Sequence, residues 1–354
     1  MTKAQARAVL GSIVTLATFC TAQSLREAAD HAGILIGTAV NEHFLSEPDY
    51  ASTLAREFNM IEPENAMKWA AIRPNEKTFD FERGDRVVAF AQAHGMKVRG
   101  HNLVWPAEVP AWVRDGRFSK QQLARLLHQH IHRVIEHYRG QVFAWDVVNE
   151  AFEEHGRLRE SVWHKRPGIG VGRGTAYIAQ AFRWAHQADP AALLFYNDAE
   201  AEPVNRKSNA IYAMVKRFKQ QNVPIDGVGF QMHIFNLRAN VASIEANIAR
   251  FTRLGVQVHI TEMDVALPVD SQGRVLDPAD LRRQAEIYRD VAAACLKYSG
   301  CTALQTWGFT DKYSWIGWET HHARGAALLF DRAYQPKPAY DALVGLLESR
   351  SNGR

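Results

Sequence analysis

Two glutamates stand where strand packing alone would not require them. The stretch 145–150 reads Trp-Asp-Val-Val-Asn-Glu, an apolar run that ends in an amide and a carboxylate at Asn149 and Glu150. Glu262 follows a second apolar run, 256–261, in the same way. Two carboxyl groups in one cleft can divide acid-base work, because one can carry a proton while the other stays ionised. The pair is therefore the first candidate for a catalytic centre.

Cleavage of a glycosidic bond is a reaction that needs two such carboxyl groups. One group protonates the leaving oxygen, and the other attacks the anomeric carbon or activates a water molecule. A separation of about 5 Å is typical of retaining double displacement, and about 6.5 to 9.5 Å is typical of inversion. The sequence does not define this separation, so both stereochemical outcomes stay open at this point.

The segments around the two glutamates predict how they are positioned. Eight short apolar runs alternate with segments of helical spacing, which is the pattern of parallel strands joined by helices. Eight such units favour a single-domain (β/α)8 TIM barrel, whose usual size of about 250 residues leaves room for long loops in 354 residues. An open doubly wound sheet is the alternative, but the early turns lack its glycine-rich sequence. The predicted strands are 34–40, 58–62, 97–104, 142–148, 193–196, 227–232, 256–261 and 303–309, and the clearest predicted helices are 120–138, 175–188, 203–221, 241–254 and 278–298.

Polar residues follow the predicted strands at the point where the apolar runs stop. In a TIM barrel the active site lies at the carboxyl ends of the strands. Glu150 closes the fourth predicted strand and Glu262 closes the seventh, so we expect both to face one central cavity. The strand-end residues are Asn41, Glu42, His43, Glu64, Asn65, His101, Asn102, Asn149, Glu150, Asn197, Asp198, Gln231, His233, Glu262, Asp264 and Trp307.

The composition narrows the class of protein. With 47% hydrophobic and 23% charged residues, the chain has ordinary globular make-up. Its formal net charge of +4 comes from interspersed charges of both signs, so no basic stripe indicates a nucleic-acid partner. A glycine-rich stretch, 168–174, fits neither dinucleotide-binding nor P-loop spacing and predicts a mobile loop on the cleft side.

The first 22 residues predict a cleaved signal peptide. Lys3 and Arg7 precede an apolar segment, 8–19, which the small residues Thr21 and Ala22 follow. The alternative is an ordinary amphipathic first helix. We therefore expect residues 23–354 to form the folded domain of an exported protein, secreted or periplasmic, with no membrane association after signal removal.

Export also changes what the remaining cysteines indicate. Cys295 and Cys301 lie six residues apart, and an oxidising compartment favours a disulfide across this short loop. Two buried free thiols are the alternative.

A set of ordered motifs resembles one known family. The motifs are Phe-Asn at 58–59, Glu-Asn-Ala-Met-Lys-Trp at 64–69, Arg-Gly-His-Asn-Leu-Val-Trp at 99–105, Trp-Asp-Val-Val-Asn-Glu at 145–150, Gly-Val-Gly-Phe-Gln-Met-His at 227–233, Ile-Thr-Glu-Met-Asp at 260–264, and segments within 307–315 and 328–340. Together they resemble glycoside hydrolase family 10, the endo-β-1,4-xylanase family, across residues 34–347. Similar enzymes often place a disulfide where Cys295 and Cys301 stand.

The resemblance implies a retaining mechanism in a TIM barrel, with no metal or organic cofactor in the chemical step. By match to the motifs, Glu262 would be the nucleophile and Glu150 the general acid that later acts as the base. Asn149 would bind the sugar 2-hydroxyl, while His233 and Asp264 would hold Glu262 in place and keep it ionised. The implied substrate is a polysaccharide, xylan or a related β-1,4-glycan, and we expect a monomer.

The resemblance also assigns substrate-binding residues. Glu64, Asn65 and Lys68 match positions that bind sugars on the non-reducing side of the cleaved bond. Other matched residues would line the walls nearest this bond, and tryptophan suits this place because its flat apolar face can cover a pyranose ring. These wall residues are His101, Trp105, Gln231, Trp307 and Trp315.

Several positions depart from the family pattern. Many relatives have His, a small residue and Gln after the tryptophan that Trp105 matches, and they have Tyr and Asn after the Asn-Asp pair at 197–198. This chain instead has Pro106, Ala107, Glu108, Ala199 and Glu200, and it has Glu62 where Thr is frequent. The departures keep open a related β-1,4-glycanase or glycosidase with altered preference and, as a third hypothesis, a catalytically weak carbohydrate-binding protein.

Overall fold

Eight parallel strands form a closed barrel in the computed structural model, which describes residues 23–165, 168–170 and 174–351. Each strand pairs with the next, and the eighth closes the ring by pairing with both the first and the seventh. The predicted TIM barrel is therefore confirmed. The strands are β1 (Leu35–Val40), β2 (Met60–Pro63), β3 (Lys97–Gly100), β4 (Ala144–Asn149), β5 (Leu193–Asp198), β6 (Gly227–Phe230), β7 (Gln257–Val265) and β8 (Cys301–Thr306).

Helices alternate with the strands and surround the barrel. The helices longer than two turns are α1 (Leu25–Ala32), α2 (Pro48–Glu57), α3 (Glu82–Ala93), α4 (Lys120–His137), α5 (Ala176–Ala188), α6 (Arg206–Gln220), α7 (Val241–Arg253), α8 (Ala279–Leu296) and α9 (Pro338–Ser351). Short helical turns cover Glu42–Ser46, Trp69–Ile72, Ala111–Arg114 and Ile316–Glu319, and short strands cover His233–Ile234, Leu267–Pro268 and Arg324–Gly325. None of the helices in the described ranges is long and apolar enough to cross a membrane.

The largest differences from the predicted strand boundaries are at the ends of the third and seventh strands, and a helix precedes the first strand. The third strand ends at Gly100 rather than Val104, although Val104 still forms an isolated bridge with Val148 of β4. The seventh strand extends to Val265, because its last residues pair with the short strand His233–Ile234. Helix α1 was not predicted, and Ser24 begins it with a reciprocal capping box. The predicted signal peptide, 1–22, and part of the predicted loop 168–174 lie outside the described residues.

Amphipathic helices cover the outer face of the barrel. In α4, Leu123, Leu127, Ile131 and Val134 recur at helical spacing and are all buried. Burial of each such side chain contributes about 1.5–3 kcal/mol relative to exposure. Ser119 caps this helix through a capping box, so local sequence and packing agree on where it begins.

The interior of the barrel is polar at the level of β2, β3 and β4. The guanidinium of Arg99 forms a salt bridge with Asp146 and lies 3.3 Å from a carboxylate oxygen of Glu62. Gln305 of β8 donates to Glu62 at 2.6 Å, and His259 of β7 contacts Arg99 at 2.8 Å. Because these strands stand on different sides of the ring, the contacts cross the barrel interior. The barrel axis therefore holds paired charges in place of the branched aliphatic layers that are common in this fold.

The predicted disulfide between Cys295 and Cys301 is present. It joins the last turn of α8 to the first residue of β8, with an S–S distance of 1.97 Å and a Cα–Cα distance of 5.3 Å. The bond thus ties the final helix–strand turn of the barrel at the face opposite the strand ends that carry the polar residues.

Candidate active site

Glu150 leaves the end of β4 in an unusual backbone conformation. Its φ is +51°, in the left-handed region that non-glycine residues adopt at a cost of about 1–3 kcal/mol. The backbone N–H of Glu150 donates to the carbonyl of Asn197 at 2.9 Å, and its own carbonyl accepts from Arg159 at 3.2 Å. These bonds hold the residue in this conformation at the mouth of the barrel.

Three side chains orient the carboxylate of Glu150. The indole N–H of Trp105 donates to Oε2 at 3.1 Å. Gln231 donates to Oε1 at 2.9 Å, and the amide of Asn149 lies 3.3 Å from the same oxygen. Residues from the ends of β3, β4 and β6 therefore converge on a single carboxylate, which remains half-buried.

A histidine between two carboxylates supports Glu262. His233 lies 3.1 Å from Glu262 Oε2 through Nε2 and 3.0 Å from Asp264 Oδ2 through Nδ1. Both ring nitrogens must donate to make these bonds, which requires the imidazolium. Burial alone would lower the pKa of His233, but the charges and hydrogen bonds of Asp264 and Glu262 outweigh it and raise this pKa well above its usual value. Trp315 completes the group by donating to Asp264 at 2.8 Å.

Asn197 connects the two glutamates. Its amide nitrogen donates to Glu262 Oε1 at 2.7 Å and to the side-chain oxygen of Asn149 at 2.9 Å. Thr261 donates to the amide oxygen of Asn197 at 2.7 Å, which sets the orientation of the amide. Asn197 was predicted only as a strand-end residue, and the structure adds it to the site. Its position at the end of β5, between the strands of the pair, was the available signal.

Replacement of Asn197 by alanine should lower kcat/KM without unfolding the protein. The change removes one donor from Glu262 and one from Asn149, and a hydrogen bond to a charged group is worth about 1.5–3 kcal/mol. We therefore expect kcat/KM on a soluble form of the β-1,4-glycan that the resemblance implies to fall about 10- to 150-fold. Thr261→Val keeps the side-chain shape and removes only the orienting hydroxyl, so its kcat/KM should fall less than that of Asn197→Ala. Wild-type kcat/KM in Asn197→Ala would contradict the role of this amide.

One wall of the cleft is built from residues that follow β2, β3 and β8. Lys68 donates to Asn65 at 2.8 Å, and its ammonium lies 4.8 Å from the ring centre of Trp105 and 5.9 Å from that of Trp307. Glu64 accepts a bond of 3.4 Å from Asn41 at the end of β1. The structure thus brings together the predicted residues Glu64, Asn65, Lys68, Trp105 and Trp307.

His101 lies beneath this wall, next to the buried charges. Its Nδ1 lies 3.0 Å from Asp146 and 3.6 Å from Glu62, and its ring packs edge-on against Trp307. Burial raises the pKa of Glu62 above its usual value, while the charges of His101 and Arg99 oppose this effect. Glu62, which stands where the family pattern often has Thr, therefore adds a titratable group beneath the wall that contains Lys68 and Trp307.

Potential metal ligands in the described ranges cluster at Glu62, His101 and Asp146, whose ligand atoms lie within 4.8 Å of one another. Arg99 already places a permanent cation against both carboxylates. The donor set therefore fits a buried ion-pair network better than a metal site, since a divalent ion would stand beside a guanidinium that cannot lose its charge.

The loops after β4, β5 and β6 form a second cavity of about 510 Å³ on the other side of the pair. His233 lines it, so the cavity is continuous with the group around Glu262. Glu154 and Glu200 also line it, and both are exposed. Two other residues that differ from the family pattern lie near the cleft. Ala199 is half-buried and directly precedes Glu200, and Glu108 is exposed three residues after Trp105.

One glutamate directly follows β4 and another lies near the end of β7 in a TIM barrel, and amide side chains link them while indole rings flank them. This is an arrangement that cleavage of a glycosidic bond can use. The sequence model described as Glycosyl hydrolase family 10 matches residues 24–346. The chain belongs to this family.

Relatives and solved structures agree with the match. The chain is 42% identical to endo-1,4-beta-xylanase B of Thermotoga neapolitana over 333 residues, and this alignment covers 93% of each protein. It is 39% identical to an endo-1,4-beta-xylanase of Agaricus bisporus, covering 87% of this chain and 89% of that one. Native xylanase 10B of Thermotoga maritima superposes with a TM-score of 0.88 at 43% identity, covering 94% and 100% of the two chains. Xylanase 10B of Thermotoga petrophila, solved with xylobiose, gives a TM-score of 0.87 at 43% identity, covering 93% and 98%.

Proposed function

We propose that this protein is a retaining endo-1,4-β-xylanase that hydrolyses the xylan backbone by double displacement. The observation that carries the proposal is the asymmetry of the two glutamates. Glu262 is held between the imidazolium of His233 and the amide of Asn197, which fix both of its oxygens in place as a nucleophile requires. Glu150 accepts bonds from the uncharged donors of Trp105 and Gln231, and this different environment suits the acid/base role. The names of the relatives support xylan as the substrate.

In the first step, a carboxylate oxygen of Glu262 attacks the anomeric carbon from one face of the sugar. The glycosidic C–O bond breaks, and Glu150 gives its proton to the leaving oxygen. The covalent glycosyl ester of Glu262 is uncharged. Asn149 binds the 2-hydroxyl, a contact that strengthens as positive charge develops at the anomeric carbon.

In the second step, Glu150 acts as a base. It is then a carboxylate that accepts bonds from Trp105, Gln231 and Asn149, as it does in this structure. It takes a proton from a water molecule, whose oxygen attacks the anomeric carbon and releases Glu262. Two inversions return the original configuration, and both glutamates regain their starting states.

The remaining site residues bind the polymer. Glu64, Asn65 and Lys68 supply polar contacts to hydroxyl groups on the non-reducing side, and Trp105, Trp307 and Trp315 supply flat apolar faces, with His101 and Gln231 nearest the cleaved bond. The chemical step uses side chains alone, with no metal or organic cofactor. We further propose that residues 1–22 are a signal peptide, that the catalytic domain is 23–354, and that the mature enzyme is a secreted or periplasmic monomer.

A related β-1,4-glycanase is the second candidate, because Pro106 and Glu108 follow Trp105 directly and change the wall near the cleaved bond. Hydrolysis of xylan, cellulose and mixed-linkage glucan, compared side by side, separates the two candidates. We expect xylan to be cut at least about tenfold faster in kcat/KM than the glucans. Activity on cellulose-type polymers alone would contradict the xylanase proposal.

The same experiment tests the stereochemistry. Proton NMR of the first product, recorded before mutarotation, should show the β-anomer. An α-anomer would overturn the retaining mechanism while leaving the substrate assignment in place.

A further inference from the structure

A groove of about 1040 Å³ lies outside the catalytic cleft, between the segments that follow β7 and β8. We name it the outer groove and define it by Val269, Gln272, Trp318, His322, Arg324 and Arg332. Glu150, Glu262, His233 and Trp315 are not among its lining residues. Its volume lies at the upper end of the range for ligand sites, about 300–1,000 Å³.

One helical turn, Ile316–Glu319, separates the outer groove from the catalytic group. Trp315, immediately before this turn, directs its indole N–H to Asp264 on the catalytic side. Trp318, three residues later, lines the outer groove instead. The two tryptophans therefore lie on different surfaces of one loop. A substitution at Trp318 should leave the contact between Trp315 and Asp264 in place.

Trp318 is unusually exposed. Its exposed fraction is 78%, the highest among the large hydrophobic residues in the described part of the chain. A buried position would be the usual one for so large an apolar ring, and tryptophan exposed beside polar groups is typical of binding surfaces. Its flat face is suited to the C–H surface of a pyranose.

The free charge of the outer groove is positive. Its three acidic residues are engaged. Asp311 pairs with Lys337 at 2.8 Å, and Asp270 pairs with Arg274 at 2.7 Å. Asp331 accepts backbone N–H bonds from Ala333 at 2.8 Å and from Gln335 at 2.9 Å. The guanidinium groups of Arg324 and Arg332 have no hydrogen-bond or salt-bridge partner within the described ranges of the chain. Guanidinium groups bind carboxylates through paired, charge-assisted hydrogen bonds.

We propose that the outer groove is a second, non-catalytic polysaccharide site that takes a xylan segment carrying a uronic-acid branch. Trp318 stacks on a sugar of the backbone, and Arg324 and Arg332 bind the carboxylate of the branch. The site holds the polymer on the enzyme and raises its local concentration at the cleft. The choice of xylan rests on the proposed function, whereas the preference for an acidic glycan rests on the groove alone.

Affinity electrophoresis tests the proposal in gels that contain glucuronoxylan or a neutral arabinoxylan. All proteins carry Glu262→Ala, so that the gel polymer is not digested. Trp318→Ala should weaken retardation on both glycans by about threefold or more, since stacking is lost. The double variant Arg324→Ala and Arg332→Ala should weaken it by about threefold or more on glucuronoxylan only. The double variant Arg117→Ala and Arg125→Ala removes two exposed arginines that do not line the outer groove, and it should change retardation on neither glycan.

A second measurement separates the groove from the cleft. With Glu262 restored, Trp318→Ala should hydrolyse an aryl xylobioside at the wild-type rate, because this short substrate does not reach the outer groove. Unchanged retardation of Trp318→Ala would overturn the site, and a parallel loss of aryl xylobioside hydrolysis would place Trp318 in the cleft instead. Equal effects of the arginine double variant on both glycans would overturn the acidic branch. Failure of the wild type to cleave the aryl xylobioside would count against the proposed function and leave the retardation result intact.

Discussion

Glu262→Ala is expected to abolish turnover of every substrate, polymeric or activated. No other carboxylate contacts both Asn197 and His233 in the described part of the chain, so no neighbour can replace the nucleophile. Removal of a covalent nucleophile costs about 10⁵-fold or more in kcat. Initial rates on xylan and on a dinitrophenyl xylobioside measure the loss.

A chemical control separates loss of the nucleophile from loss of the fold. Added azide should enter the space left by the carboxylate and attack the activated aryl glycoside once, which yields the α-glycosyl azide. Glu286→Ala, a matched loss of one exposed carboxylate on α8, should keep wild-type rates. Wild-type activity in Glu262→Ala, or a β-azide product, would rule out the nucleophile assignment.

Glu150→Ala is expected to separate substrates by their leaving groups. A xylan leaving group needs a proton, and general acid catalysis is worth about 10²–10⁴-fold, so kcat/KM on xylan should fall by that factor. Dinitrophenolate leaves without protonation, so kcat/KM on the dinitrophenyl xylobioside should change by less than about tenfold. Steady-state rates on the two substrates provide the comparison.

Hydrolysis of the glycosyl ester, the second chemical step, provides an independent test of the acid/base role of Glu150. Without the base, water attacks the glycosyl ester slowly, so Glu150→Ala should show a burst of dinitrophenolate followed by slow turnover. Azide should accelerate this turnover and give the β-glycosyl azide, because it attacks the ester that Glu262 has already formed. Equal losses on both substrates, with no burst, would contradict the acid/base assignment.

The barrel and its catalytic pair were predictable because both depend on local patterns. Each apolar run is long enough for one strand, and the helical spacing between runs requires parallel strands. Once the strands are parallel, every strand end lies on one face, so Glu150 and Glu262 are expected on the same face although 112 positions separate them. The disulfide between Cys295 and Cys301 was predicted from their short spacing together with the expected export, and two free thiols were the alternative until the structure showed the bond.

Contacts across the barrel were not predictable in this way. Glu62 was predicted only as a departure from the family pattern, and the structure alone places it against Arg99 and His101 at the end of β3 and against Gln305 of β8. Asn197 likewise became a site residue only when its amide was found between Asn149 and Glu262. Such partners come from strands far apart in the chain, and no periodicity specifies which side chains face each other across the ring.

The residue types and their order along this chain determined the fold, and they placed Glu150, Glu262 and most of the proposed sugar-binding residues on one face, since strand polarity brings all strand ends to that face. The tertiary structure alone decided how each side chain is used. The left-handed backbone of Glu150, the imidazolium between Glu262 and Asp264, and the opposite directions of Trp315 and Trp318 all depend on packing between loops. Sequence patterns record the face on which a residue lies, whereas hydrogen-bond partners and burial depend on the distances between loops that only the folded chain establishes.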